Sequence, residues 1–373
     1  MKNFILLIFA VFSLFSCTLT KTLVYQKVNI DDYKIFRNRT IKAQNPELWK
    51  IDKNYNKYPI PEKYLQEIKD IETVAYLVVY KGKILHEEYW DGYDENSYSN
   101  SFSMAKSIIS LLIGFAIDDG FIQNTDQKIS DFIPEYKKDN RENISIKDVL
   151  TMSSGLYWGE SYSSPFSRTA RAYYGKNLHR IVKNLKLKSE PGKTFSYSSG
   201  DSQILSFIIE KATGKTVSDY LSEKLWIPLG AKKDALWSLD KKDGHEKAYC
   251  CFNSNARDFA KIGQFMLQNG KWNGKQLLSE RFIKESLKPA DYLSYNENPV
   301  DFYGYQWWIM NYNSQKIFYA RGLLGQYILC IPEKELVVVR LGHHRSKKTE
   351  NGIPLDIKMW IDIAIDMTNQ TDF

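Results

Sequence analysis

Two spacings of hydrophobic residues divide this chain into regions. Near its start, Val74 to Tyr80 and Lys83 to Tyr89 are runs of strand length on either side of Lys81-Gly82, the pattern of a β-hairpin closed by a tight turn. Towards its end, Lys316 to Ala320, Gln326 to Ile331 and Glu335 to Leu341 read as three more strands, with Pro332 and the charged Glu333-Lys334 supplying a turn. Between these ends the pattern is helical. Ser103 to Asp118 is apolar almost all round, which predicts a buried helix, and Ser202 to Thr213 closes on Gly214 as a C-terminal signal. Val217 to Leu225 and Asp258 to Gln268 are further helical segments.

Strands thus gather at both ends of the sequence, so the two sets must pair in one sheet with a helical insertion between them. The expectation is an α+β fold of two lobes, the helical one at roughly residues 140–265. A cleft at the lobe boundary is the natural binding site.

The first residues do not belong to this pattern. Lys2 precedes an apolar run from Phe4 to Phe15 that is too short to span a bilayer and has the form of a secretory signal. Leu14-Phe15-Ser16-Cys17 resembles the bacterial lipobox, in which the cysteine becomes a lipidated N-terminus after cleavage, although Phe15 is bulkier than usual there. Residues 1–17 are therefore expected to direct export, with a lipid on Cys17 holding the protein to a membrane of the cell envelope; simple cleavage is the alternative. Residues 18–65 are polar, rich in Lys, Asn and Tyr, and lack sustained periodicity, as suits a tether followed by a segment packed on the main domain, 66–373.

Composition narrows the function. With 373 residues, 43% hydrophobic and 14% aromatic, the chain can bury a sizeable core. Its net charge of +7 is modest and its lysines are interspersed with acids, so no nucleic-acid partner is expected. Setting Cys17 aside, Cys250, Cys251 and Cys330 remain, too few for a disulfide framework, and the adjacent Cys250 and Cys251 are not expected to bridge each other. His86, His179, His245, His343 and His344 show no ligand spacing with a nearby carboxylate, so no zinc site is expected. His343 and His344 read as a loop after a strand.

The candidate chemistry lies at the start of the first long helix, in SFSMAKSIIS. Ser103 and Lys106 are three residues apart and share one helical face. A serine hydroxyl becomes a nucleophile when a neighbour takes its proton, and a lysine does so when burial and nearby positive potential, such as that of a helix N-terminus, depress its pKa. The flanking Met104, Ala105, Ile108 and Ile109 supply that burial, and the N–H of Ser103 is a candidate oxyanion donor. Ser-x-x-Lys is short enough to arise by chance. Ser238-Leu239-Asp240-Lys241 is a second match, in a charged stretch with no apolar helix behind it.

More motifs follow in order. After SFSMAKSIISLLIGFAIDDGFI come DFIP at 131–134, VLTMSSGL at 149–156, PGKTFSYSSGD at 191–201, ARDFAKIG at 256–263, YGYQWWI at 303–309 and the strand ARGLLGQYILCIP. Together these resemble the serine β-lactamase and penicillin-binding-protein superfamily, and most of all its branch of class C β-lactamases, carboxylesterases and 6-aminohexanoate-dimer hydrolases.

The resemblance implies a β-lactamase/transpeptidase-like fold, an antiparallel sheet flanked by helices with an additional helical lobe. It implies a serine hydrolase working through an acyl-enzyme on a small-molecule amide or ester, with no metal or organic cofactor. By the same resemblance Tyr197 matches the tyrosine of the Tyr-x-Asn element and shares proton transfer with Lys106, needing nearby cations if it is to act as a phenolate. Ser199 stands where class C enzymes have asparagine. Ala320-Arg321-Gly322 replaces Lys-Thr-Gly, so the cation that attracts a β-lactam carboxylate is missing; alternation along the strand turns Arg321 to the opposite face from residue 320. Gly322 keeps the backbone approachable and Leu323 N–H becomes the second oxyanion donor. Leu324, where many relatives carry glycine, narrows the mouth. Residues 159–175 lack helical periodicity and read as a lid or a surface loop, and Tyr303 to Trp308 as an apolar wall or buried core. Within the resemblance a β-lactamase or D-alanyl-D-alanine peptidase-type cell-wall enzyme is the alternative, and two other classes stay open: a non-catalytic cell-wall receptor, and a Ser-His-Asp hydrolase, for which no Gly-x-Ser-x-Gly elbow is present.

Overall fold

The computed structural model describes residues 27–162, 164 and 166–371; the expected signal, Cys17 included, lies outside the described residues. The hairpin forms as β1 (Thr73–Tyr80) and β2 (Lys83–Tyr89). Four strands near the other end, β3 (Trp308–Tyr312), β4 (Gln315–Gly322), β5 (Gln326–Ile331) and β6 (Leu336–Gly342), complete the main sheet. The order is β3-β4-β5-β6-β1-β2, with the short strand Lys50–Ile51 parallel to β2 at the edge. The two ends of the chain meet where β6 runs antiparallel to β1, Leu336 opposite Tyr80 and Val339 opposite Leu77.

Every residue of β1 is buried, because both faces of the sheet are covered. Leu77 and Val79 face a core shared with α1 (Met104–Asp118), α2 (Ser199–Thr213) and α3 (Ala256–Leu267). Tyr76, Val78 and Tyr80 face α4 (Leu355–Thr371), where Tyr76 lies 4.7 Å from the Trp360 ring. Met104 to Ala116 of α1 are all buried, as its all-round apolar pattern predicts. Each fully buried Ile or Leu there contributes on the order of 1.5–3 kcal/mol, which fixes the helix carrying Ser103 and Lys106 in the centre of the molecule. The fold is the expected antiparallel sheet flanked by helices.

Two expectations need correction. A second sheet, in the order Arg37–Ile41, Ala235–Leu239, Phe252–Ser254, Ser99–Asn100, lies outside the two end clusters, its middle strands in the region read as helical and Arg37–Ile41 in the segment read as without periodicity. Its strands hold five residues or fewer and pair across long separations, such as Arg37 with Leu239, so no local periodicity announces them. Cys250 and Cys251 are also bridged, with sulfurs 2.03 Å apart. Cys251 takes a left-handed φ of 67°, and the turn is held by Trp237 Nε1 donating to Cys250 O and by Ser238 N and Asn253 Nδ2 donating to Cys251 O.

Candidate active site

Ser103 is delivered by a turn rather than by the helix itself. Ser101 N–H donates to Phe252 O (2.8 Å) and Phe102 N–H to Asn100 Oδ1 (2.9 Å), which ties this stretch to the small sheet. Phe102 takes φ 42°, a left-handed conformation that costs a bulky residue about 1–2 kcal/mol. Ser103 is the N-cap of α1, yet its side chain makes no capping bond. Its hydroxyl is therefore not spent on capping the helix, and its N–H has no intrahelical partner.

One turn on, Lys106 is 1% exposed and its Nζ has three partners: Ser103 Oγ at 3.1 Å, Ser199 Oγ at 3.2 Å and Tyr249 O at 2.7 Å. Burial lowers its pKa from 10.5 to about 8, against the opposing charges of Glu160 and Asp201. No positive potential is needed for this shift, since the neighbours are acidic and desolvation outweighs them. Asp201, wholly buried in the first turn of α2, is itself pushed up by burial to about 7, while Ser154 donates to its Oδ1 at 2.9 Å.

The partners of Lys106 fix where its lone pair points. Tyr249 O is a carbonyl and can only accept. Ser199 Oγ donates its own proton to Glu160 Oε1 (2.8 Å), so towards Lys106 it too accepts. A neutral amine keeps two protons for these acceptors, leaving its lone pair for the Ser103 hydroxyl.

Glu160 is the residue that sequence reasoning missed. Besides Ser199 Oγ, it accepts Ser199 N–H (2.7 Å), at the N-terminus of α2, and the Tyr162 hydroxyl (2.5 Å). Its only signal was a lone acid in the segment 159–175, far in sequence from the helix end it meets. That segment is not wholly irregular, because Arg168–Tyr174 is helical with Ser167 capping it; Tyr162 and Ser164 line the cleft.

Tyr197 lies half-buried on the loop entering α2, its ring 5.3 Å from Lys106 Nζ and 5.6 Å from Trp308. Burial raises its phenol above the ordinary value, and the Ser103 hydroxyl, Arg321 and Arg345 offset that only in part. The resting group is a phenol, so the nearby cations do not suffice to hold a phenolate.

The end of β4 closes the other side. A Cβ on Gly322 would lie 2.2 Å from Ser101 O, so this strand reaches the nucleophile's turn only because residue 322 has no side chain. Leu323 and Leu324 line the cleft beside Ser103. Leu324 sits at φ 63°, a left-handed conformation that glycine adopts without strain. Arg321 points to the opposite face from Ala320: its guanidinium stacks 3.9 Å over Trp308, and Nη1 donates to Gly352 O (3.3 Å).

Of these groups, Ser103, Ser199, Leu323 and Leu324 open on a cavity of about 630 Å³, walled also by Phe102, Tyr162, Tyr173, Tyr174 and Tyr249. Lys27, Val28 and Asn29 of the N-terminal segment also line it, with Glu72, His343 and His344. The two histidines follow β6 in a loop, as expected; His344 pairs with Glu72 (3.5 Å), and the groups bonded to the Ser103 hydroxyl are Lys106 and Tyr197, neither of them an imidazole. The second Ser-x-x-Lys lies elsewhere, with Ser238 bonded to Asn38 in the small sheet (2.8 Å). Trp307 is buried core and Trp308 backs Tyr197, so the aromatic run serves both readings.

The Beta-lactamase family model matches residues 62–353. The 6-aminohexanoate-dimer hydrolase of Paenarthrobacter ureafaciens is 26% identical over 320 residues, covering 80% of this chain and 81% of that protein. Among solved structures, a Bacillus anthracis protein provisionally assigned as a 6-aminohexanoate-dimer hydrolase superposes with a TM-score of 0.77 at 22% identity, over 92% of this chain and 93% of its own. A class C β-lactamase variant superposes at 0.61 and 15% identity, over 83% and 94%.

Proposed function

The chain belongs to the β-lactamase family and is a serine hydrolase, and on that footing we propose that it cleaves a small amide or ester, in the manner of 6-aminohexanoate-dimer hydrolases and related esterases, through an acyl-enzyme on Ser103. The observation that carries this is the pair of acceptors on Lys106, which reserve its lone pair for the Ser103 hydroxyl. At the pH where Lys106 is neutral it takes the proton as Ser103 Oγ bonds to the substrate carbonyl carbon. The N–H groups of Ser103 and Leu323 hold the oxyanion that forms. As the intermediate collapses, the bond to the leaving nitrogen or oxygen breaks and that atom receives a proton from the Tyr197 phenol, which regains one from the Lys106 ammonium. Water then enters by the same route in reverse and frees the acid.

Two features favour a neutral amide or ester over a β-lactam. The strand cation that would attract a β-lactam carboxylate is absent, Arg321 being turned to the other face. The cavity wall beside Ser103 is largely aromatic and aliphatic. Hydrolysis of p-nitrophenyl esters, aminohexanoate oligomers, nitrocefin and D-alanyl peptides by wild type and Ser103→Ala tests the reading. Ester or oligomer turnover lost with Ser103 supports it, whereas turnover of nitrocefin or D-alanyl peptides alone replaces it with a cell-wall role. A wild type that gains no fluorophosphonate adduct and turns over nothing is a receptor. Export and lipid attachment at Cys17 are part of the same proposal; incorporation of labelled palmitate that disappears in Cys17→Ser is the expected result.

A further inference from the structure

The oxyanion turn holds a conformation that its own residues do not favour. Leu324 is left-handed at φ 63°, a cost of about 1–2 kcal/mol for a branched side chain. Something outside the turn must hold it, and three successive carbonyls show what does. Leu323 O accepts from Gln326 Nε2 (3.1 Å). Leu324 O and Gly325 O both accept from Arg340 Nη1, at 3.0 and 2.9 Å. All three carbonyls are engaged by groups behind the turn; they belong to the peptides that follow the one carrying the Leu323 N–H, so the backbone is fixed on the C-terminal side of that donor.

Arg340 is wholly buried on β6, and no carboxylate lies within salt-bridge distance of it among the described residues. Nη1 also reaches His344 O (2.7 Å), so its two hydrogens serve three carbonyls; Nη2 donates to Ile71 O (2.8 Å) and Thr73 Oγ1 (2.9 Å), and Nε to Thr73 Oγ1 (3.2 Å). A Cβ on Gly325 would lie 2.2 Å from Nη1 and one on Gly342 2.3 Å from Nη2, so the backbone forms a fitted cradle around the guanidinium. A buried cation held by four carbonyls and the Thr73 hydroxyl, with the charge of Asp356 acting on it from beyond bonding distance, is costly where packing is the only need, and an apolar residue of similar volume serves packing better. Gln326, equally buried, also donates to Gly342 O (2.7 Å) and accepts from Gly342 N–H (3.2 Å), which couples the two clamps.

We propose that Arg340 and Gln326 are positioning residues for catalysis: by holding the carbonyls of Leu323, Leu324 and Gly325 from behind, they aim the Leu323 N–H at the developing oxyanion. This rests on the acyl-enzyme reading of Ser103. Neither residue touches substrate, so the effect falls on the transition state and leaves ground-state binding in place.

The test compares wild type, Arg340→Lys and Gln326→Glu. Lysine keeps the charge but cannot span three backbone segments, and glutamate keeps the shape but sets an acceptor against Leu323 O. For p-nitrophenyl butyrate, kcat should fall about ten- to a hundredfold with KM within about twofold, and the Ki of a boronic acid transition-state analogue should rise by a similar factor. Circular dichroism establishes which variants are folded. A folded variant with kcat and Ki both within about twofold of wild type overturns the proposal. Unfolding of both variants also overturns it, by giving these residues a structural role only. Fluorophosphonate labelling of the wild type separates the two levels: without an adduct on Ser103 the acyl-enzyme reading itself fails, whatever the variants do.

Discussion

The two sides of the cleft reach their geometry by different means. On one side, Ser103 and Lys106 are a single turn apart on α1, and their 3.1 Å contact follows once that helix is buried. On the other, Tyr197, Ser199, Glu160 and Leu323 come from three separate segments, positioned by bonds that cross much of the chain. The nucleophilic pair is thus robust to events elsewhere, whereas the groups that tune and stabilise depend on contacts far from the reaction. Substitutions should reveal that asymmetry.

The largest effect belongs to the local side. Ser103→Ala should abolish the fluorophosphonate adduct and lower ester turnover on the order of 10⁴-fold or more, with thermal stability nearly unchanged. Gly322→Ala comes next and probes the remote side without touching a reactive atom. Its Cβ would press on Ser101 O, a backbone atom that cannot swing away, and would push the oxyanion turn from the nucleophile's turn. A loss in kcat of about 10²–10³ is expected, with a lower thermal midpoint; a near-wild-type kcat would show that the two sides are not joined there.

The pH dependence sharpens the comparison. In the proposed mechanism the neutral amine of Lys106 is the reactive form, so kcat/KM should rise with pH through about 8, where burial places this pKa, instead of near its ordinary 10.5. Glu160 opposes the shift by favouring the ammonium. Removing its charge in Glu160→Gln should lower the Lys106 pKa further and move the rising limb to lower pH. A limb that stays in place would mean that Glu160 acts only through Ser199. The smallest effect should come from His343→Gln and His344→Gln, with kcat within about twofold and any change confined to KM, since both line the cavity without bonding Ser103. A large fall in kcat would instead favour an imidazole base.

Much of this was legible in the residues. The hairpin, the three late strands and the helix Met104–Asp118 formed where hydrophobic spacing put them, because each buries a regular pattern of side chains. Arg321 turned to the opposite face from Ala320 as strand alternation requires. The small sheet was not legible, since strands this short have no periodicity of their own and exist only through distant partners. Nor was Glu160, one carboxylate among many until folding set it against the first residue of α2.

Sequence alone determined which groups could react: a hydroxyl and an amine at helical spacing in an apolar run, and a glycine ahead of two leucines where a strand ends. Tertiary structure decided their chemical state. Burial brings Lys106 to about 8 and keeps Tyr197 a phenol, and buried donors on Arg340 and Gln326 take the carbonyls of the oxyanion turn. The reason is that a covalent pattern fixes identity and local spacing, while desolvation and the direction of an N–H are set by whatever the fold packs around them.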